Sequence, residues 1–400
     1  MSKITRLKQK WREHRETDPS CLSFLAYCIN YCLFKICRVS RNSYLTFTAS
    51  HPHLDPGRVT AAVYITGGLG DCIIHRRIID RIAALCPNVD VILFCPVVKQ
   101  GKWVFGNDPC IKAVLPLEIF HFYSENYCDA SLILNTFAVF LEERFHADKI
   151  RRLAPALLEM YASSQKKRGA YEIFIERHPT LDGAFARQIV SRGYNRHTFL
   201  AYMLGIEPPP FELDLATDNG TAEKLSVRFP RYVTVNTGFD AFFVIAGRTA
   251  TKCWPEEYWT KFVALLKAKY PGLGVIQVGN KTGLHVDGAD CDLSGKTTLE
   301  ECAGILKKSL LHFDIEGGLV HVCASIGTRC VTLFGPTSPD YFGYPQNIKL
   351  RDSQCPDCWW STERWMECCP RRYPRPECMY RLTPEKVLAA AAEVLDGQKA

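Results

Sequence analysis

The stretch FDIEGGLVHVCASIGTRCVTLFGPTSP, Phe313 to Pro339, sets an acid, two glycines and a histidine at the head of a run of small and apolar residues. Glu316-Gly317-Gly318 reads as a turn that opens a helix over LVHVCASIG, and Gly327 stops that helix. CVTLF follows as a short buried strand of the parallel type, with Gly335-Pro336-Thr337 as the loop beyond it. A glycine-led helix start suits a phosphate, because free N–H groups and the helix dipole point at the anion. The same pattern also serves an ordinary strand–turn–helix of any α/β domain, since short glycine motifs are weakly specific.

Working outward, the alternation that begins at Arg58 supports a fold of the α/β class. VTAAVYITGG reads as a strand ending in glycines, DCIIHRRIIDRIAALCP as an amphipathic helix and VDVILFCPVV as a second strand. CIKAVLPL and YCDASLILN read as further strands, followed by helical segments over 139–177 and 184–204. The triple proline Pro208–Pro210 cannot continue a helix and makes a stiff linker. After it the alternation restarts with RYVTVNTG, PEEYWTKFVALLKAKYP and LGVIQVGN. Two successive βαβ arrays, 56–207 and 212–350, imply two Rossmann-like domains facing across a cleft. Around them stand a basic and apolar extension over 1–55, a cysteine-rich excursion over 351–380 and a closing helix over 381–400.

The chain has 400 residues, 47% hydrophobic and 23% charged, with a net charge of +7, as expected of an ordinary globular protein with substantial cores. Much of the positive charge lies in MSKITRLKQKWREHR, and CLSFLAYCINYCLFKICRVSR follows it. Asn30 and Lys35 interrupt that apolar run, which is too broken for a spanning helix and has no signal-peptide cleavage pattern. Residues 1–40 fit a helix lying on an anionic membrane surface, or equally a helix packed on the main body. Nucleic acid is disfavoured as a partner, because the cations are not interleaved with aromatics on a repeated module. Without a secretory signal, the nineteen cysteines are expected to be reduced thiols in the cytoplasm, with peripheral placement on the inner membrane.

Ligands of open α/β sheets bind at the carboxyl ends of the strands, which singles out the loops 66–71, 236–254, 278–283 and 314–321. In ITGGLGDCIIH, Gly67, Gly68 and Gly70 precede Asp71 with a spacing that is not the dinucleotide fingerprint. Asp71 can cap the helix and also act as a general base, since a capping carboxylate is oriented and kept ionised. In GRTATKCWPEEYW, Arg248 and Lys252 precede a helix beginning at Pro255. Two cations at a strand end can neutralise a diphosphate without a metal, or can be solvated surface charge.

Several stretches in order carry a family resemblance: GGLGDCIIHRRIIDRI, TKCWPEEYWTKF, DLSGKTTLEECAGIL, EGGLVHVCASIGT and LFGPTSP. Together with the cysteine-bearing tail, they make residues 60–395 resemble glycosyltransferase family 9, the ADP-heptose:lipopolysaccharide heptosyltransferases. The resemblance implies a GT-B fold with the acceptor on the N-terminal half and the nucleotide-sugar on the C-terminal half. It also implies inverting transfer with no cofactor for catalysis. By position, Asp71 would deprotonate the acceptor hydroxyl and Lys252, with Arg248 nearby, would stabilise the leaving diphosphate. Gly317, Gly318 and Leu319 would offer backbone N–H groups to phosphate, with His321 supporting the loop, and Thr237 and Thr337 would line the donor pocket. Glu316-Gly317-Gly318 departs from the usual Asp-Ser/Thr-Gly, and VGNKTG lacks the usual ribose-binding acid.

Cys355-x2-Cys358, Cys368-Cys369 and Cys378 form a separate cluster. Four thiols from three short segments can close a tetrahedral structural site for zinc or, second, iron; free thiols or disulfides are the alternatives. The leading functional expectation is transfer of heptose from ADP-heptose to a lipopolysaccharide-core or related envelope glycan. A protein heptosyltransferase and a non-catalytic nucleotide-sugar-binding scaffold are the rival readings.

Overall fold

The computed structural model describes residues 54–238, 250–281, 283–355 and 357–397. Residues 1–53 of the N-terminal extension and Arg248 therefore lie outside the described residues. Two sheets organise the rest. The first has the order β3-β2-β1-β4-β5, with β1 Val59–Ile65, β2 Val89–Cys95, β3 Ile111–Pro116, β4 Ala130–Leu134 and β5 Ala138–Phe145. The second runs β11-β10-β9-β6-β7-β8, with β6 Tyr232–Val235, β7 Gly274–Gln277, β8 Cys291–Asp292, β9 His312–Ile315, β10 Cys330–Phe334 and β11 Ile348–Arg351.

All pairings in the second sheet are parallel, and its central strands β6, β9 and β10 are buried along their length. That burial is why they read as unbroken apolar runs rather than alternating ones. In the first sheet β1, β2, β3 and β4 are parallel, while β5 pairs antiparallel with β4. β5 corrects the helical expectation for 139–145. Asn135 accepts from the Phe137 N–H at 2.7 Å and closes a tight turn, so the chain folds straight back on β4. Ala138 and Phe140 face the core while Glu142 and Glu143 are exposed. Glutamate and leucine are good helix formers, so local propensity argued against a pairing that the turn imposes.

The expected helix over 184–204 is also two helices, Asp182–Val190 and Phe199–Leu204. The break between them holds Arg196, whose backbone N–H donates to the Tyr341 carbonyl at 2.9 Å. That bond ties the first half of the chain to the second.

His53–Ala400 is a single body, and its two halves meet helix to helix. The helix Leu69–Leu85, which follows β1, packs against the helix Gly318–Ile326, which follows β9. Gly70 lies so close to His321 that a Cβ there would overlap the imidazole ring. Gly67, at φ +93°, sits in the left-handed region and is crowded by the Asp71 carboxylate. Both helix N-termini therefore open into the same cleft. No helix among the described residues is long and apolar enough to cross a membrane.

The excursion over 351–380 has little regular structure but is well seated. Cys358 and Trp359 donate their N–H groups to the Pro336 carbonyl at 3.0 and 2.9 Å. Trp359 packs on the Tyr341 and Phe342 rings, and its carbonyl lies against Gly183 of the first half. The closing helix, Pro384–Leu395, packs on the helix Glu256–Lys269.

Candidate functional site

A cavity of about 480 Å³ occupies the cleft, walled by Gly68–Asp71 from the first half and Lys252 and Glu316–Leu319 from the second. These are the loops at the carboxyl ends of β1 and β9 and the segment before the helix Glu256–Lys269, as the strand-end rule requires. Gly68 caps the first helix and Gly317 the second, both with extended backbone. Two sets of free helix N–H groups therefore face one space.

Asp71 sits at the third position of its helix. Its Oδ2 accepts from the Gly68 N–H at 3.2 Å, closing the N-terminal turn. Its Oδ1 accepts from Arg196 Nη2 at 2.7 Å. Arg196 also donates to the Asn135 carbonyl at 3.0 Å, while His75 Nε2 lies 3.1 Å from the same oxygen. Burial alone would raise the Asp71 pKa, but Arg196 and then His75 hold it below the ordinary carboxylate value. Its side chain remains 37% exposed while that of Arg196 is 5% exposed. Asp71 is thus an ionised carboxylate, fixed on two sides and open toward the cavity. Capping by this residue leaves its carboxylate accessible from the cavity.

On the opposite wall Lys252 Nζ donates to Glu316 Oε2 at 2.9 Å, and both side chains are nearly buried. The pair places one cation beside the helix N-terminus at Gly317. The Lys252 loop is held from outside the sheet: the preceding Thr251 donates its N–H to the Met366 carbonyl at 2.9 Å and its hydroxyl to the Trp365 carbonyl at 2.8 Å. The cysteine-rich excursion therefore supports the position of Lys252.

Asn236 and Gly238, which follow β6, also border the cavity. The Asn236 amide donates to both oxygens of Asp314 at 3.0 and 3.1 Å, and its carbonyl accepts from the Gly238 N–H at 3.1 Å. Asp314 is wholly buried beside His312, whose Nε2 is 3.3 Å away, and burial raises the Asp314 pKa despite those bonds. Neither expected threonine borders the cavity. Thr237 spends its hydroxyl on the Leu284 carbonyl at 2.6 Å, and the Thr337 hydroxyl is buried with no partner. Asn236 opens one of the strand-end loops singled out from sequence, whereas sequence reasoning missed Arg196 and the Thr297–Leu299 helix start that completes the wall. For Thr298 a signal was present, since TLEE is a capping box, and Thr298 and Glu301 bond reciprocally at 3.2 and 2.8 Å.

The five cysteines of the excursion differ in burial. Cys355, Cys358 and Cys378 are buried, Cys369 is partly buried and Cys368 is exposed. Burial, reinforced by the neighbouring thiols, pushes Cys358 and Cys378 up to about 12, so both are neutral thiols. A tetrahedral metal site needs four sulfurs converging at bonding distance. Among the described residues no group of three or more histidine, cysteine or acidic side chains is so arranged. Cys368 is exposed, while Cys355, Cys358, Cys369 and Cys378 lie near enough to act on one another's ionisation.

Two measurements follow from this geometry. Cys369→Ser is expected to lower the melting temperature and open 351–380 to protease, whereas Cys368→Ser stays within about 0.5 kcal/mol of wild type, as surface changes do. Equal behaviour of the two variants removes Cys369 from the packed cluster. Arg196→Gln removes the group that lowers the Asp71 pKa, so that pKa rises. Any process needing ionised Asp71 then loses its acid side at higher pH than in wild type, read as a shifted acid limb in the pH profile. The stability supplied by the pair in wild type is present above the unfolded carboxylate pKa and disappears as pH falls through the depressed folded one.

The comparisons with known proteins agree with this architecture. Residues 159–368 match the model of glycosyltransferase family 9 (heptosyltransferase). Lipopolysaccharide heptosyltransferase 1 of Escherichia coli K12 is 26% identical over 148 residues, 36% of this chain and 44% of that protein. The chain thus spans less than half the length of the curated relative it matches. Among solved structures, the glycosyl transferase family 9 protein of Veillonella parvula superposes with a TM-score of 0.54 at 14% identity, covering 87% of this chain and all of the other. TibC, an iron-containing dodecameric glycosyltransferase of enterotoxigenic E. coli H10407, gives 0.55 at 17% identity over 85% and 77% of the two chains. TibC is also solved with ADP-D-β-D-heptose, with a TM-score of 0.55 at 15% identity and the same two coverages. At these identities the structural likeness is one of fold, the GT-B arrangement of two facing parallel-sheet domains. The family match, which runs over more than half the sequence, carries the remaining step: the chain belongs to glycosyltransferase family 9.

Proposed function

We propose that the protein is an inverting glycosyltransferase that moves heptose from ADP-heptose to a hydroxyl of a lipopolysaccharide-core or related envelope glycan. One observation carries this reading: a carboxylate held ionised, Asp71, and a lysine beside a helix N-terminus, Lys252, face the same cavity from opposite halves. An inverting displacement needs these two groups. Asp71 takes the acceptor proton as the hydroxyl oxygen bonds to the anomeric carbon, and the bond from that carbon to the diphosphate oxygen breaks with ADP as the leaving group. Lys252 and the N–H groups at Gly317, Gly318 and Leu319 stabilise the charge that grows on the diphosphate. A carboxylate with a depressed pKa is a weak base for an alcohol, so proton transfer comes late and positioning supplies most of the acceleration.

ADP-heptose is the ligand with which TibC is solved. Glu316 replaces the usual aspartate and, as the Lys252 partner, must share that ammonium with the diphosphate when donor binds. Arg248 stands four positions before Lys252 in the sequence and is proposed as a second phosphate contact. The basic, apolar residues 1–40 are proposed to rest on an anionic membrane surface where such an acceptor is presented.

Incubating the protein with a panel of nucleotide sugars tests the donor: the true donor raises the melting temperature in proportion to RT ln(1 + [L]/Kd), with chelator present, and an acceptor glycan then gives ADP release. No shift with ADP-heptose overturns the donor assignment. Asp71→Asn is expected to lower kcat by more than about tenfold while donor affinity is kept, since about 1.4 kcal/mol or less would be lost by a mere cap. Lys252→Ala should weaken both ADP and ADP-heptose and also lower kcat. Unchanged ADP affinity in a titration removes Lys252 from the site.

A further inference from the structure

Arg77 lies on the helix Leu69–Leu85, two turns beyond Asp71, and is 3% exposed. Among the described residues no carboxylate lies within ion-pair distance of it. A buried cation without an acid is costly, and such a group persists where it does something. Its partners are hydroxyls of the other half and two ring faces: Nη1 donates to the Tyr344 hydroxyl at 3.0 Å and Nη2 to Ser325 Oγ at 3.1 Å. The Phe211 and Tyr344 rings each lie 5.3 Å from its guanidinium carbon. Both arms end on one residue. Tyr344 Oη is 2.7 Å from His321 Nδ1, and Ser325 Oγ donates to the His321 carbonyl at 2.9 Å.

The direction of these bonds is determined by chemistry. A guanidinium can only donate, so the Tyr344 oxygen accepts from Arg77. Burial pushes the Tyr344 pKa up to about 12, so the phenol keeps its proton. Among the described residues that proton has one acceptor in reach, His321 Nδ1. His321, which burial keeps neutral with a pKa of about 4, must then carry its own proton on Nε2. The ring borders the cavity between Gly70 and the Gly317–Leu319 turn, and among the described residues no hydrogen-bond partner is found for Nε2.

We propose that Arg77, acting across the two halves through Tyr344, sets the tautomer of His321 so that a neutral Nε2–H donates into the cleft to the diphosphate of a bound nucleotide. Arg77 and Tyr344 are positioning residues, and His321 is the contact. The role assigned to the diphosphate rests on the donor-site reading above; the tautomer does not. Because Arg77 and His321 come from different halves, the donor is set only where the halves are joined as in this structure.

Nitrogen NMR of histidine-labelled full-length protein reads the tautomer directly, and ADP titration reads its use. Wild type should show His321 protonated on Nε2 alone. Tyr344→Phe and Arg77→Met should each give a mixed or reversed tautomer and bind ADP about tenfold more weakly, the loss of one charge-assisted hydrogen bond. His321→Gln, whose amide can replace an Nε2–H, should bind ADP better than His321→Asn, which cannot reach. A wild-type His321 protonated on Nδ1 overturns the proposal even if a variant fails to fold, as does Tyr344→Phe with unchanged tautomer and affinity. Wild-type protein that binds no ADP overturns the donor-site reading instead, which separates the two failures.

Discussion

The close approach of Gly70 to His321 is the contact on which the site depends. Without a side chain at Gly70, the imidazole of the second half reaches the first turn of the opposing helix. Two helix N-termini, each carrying unsatisfied N–H groups, are then held around one cavity instead of facing separate stretches of solvent. A Cβ at that position would force the helices apart or drive His321 from its bond to Tyr344. The cavity, the carboxylate on one wall and the lysine on the other all follow from that closure.

Charge in the cleft is arranged in pairs that cross structural boundaries. Arg196 comes from the break between two helices to fix Asp71, and its backbone is anchored in turn on the Tyr341 carbonyl. Glu316 pairs Lys252 at the start of the second helix, and Arg77 reaches hydroxyls of the opposite half. Each ionised group thus enters a poorly solvated space already hydrogen-bonded, which is the condition for keeping charge there. An anionic ligand entering between Asp71 and Lys252 meets N–H groups and cations on the donor side and a single carboxylate on the other.

The cysteine-rich excursion has a structural task. Its Trp365 and Met366 carbonyls hold Thr251 beside Lys252, its Cys358 and Trp359 amides hold Pro336, and Trp359 packs on Tyr341 and Phe342. Buried thiols at Cys355, Cys358 and Cys378, the last two neutral, fill this segment as small hydrophobes do.

Amino-acid order alone determined the local grammar. The apolar runs at β1, β2, β9 and β10 are strands because each is short, buried and bounded by turn residues. Gly317 and Gly327 mark the ends of one helix, and Asp71 and Lys252 stand at strand-end loops where ligands of such sheets bind. Tertiary structure decided what short-range patterns cannot encode. β5 became a strand because the Asn135 turn brought it onto β4, against its helix-forming composition. Thr237 turned to Leu284 rather than the cavity, Asn236 took its place, and Cys368 parted from Cys369. Arg196 and Arg77 could not be found from sequence, because their meaning lies in partners 125 and 267 positions away, Asp71 and Tyr344. A motif read along the chain reports neighbours a few residues apart, whereas the charge and tautomer of a buried group are set by whatever folding places against it.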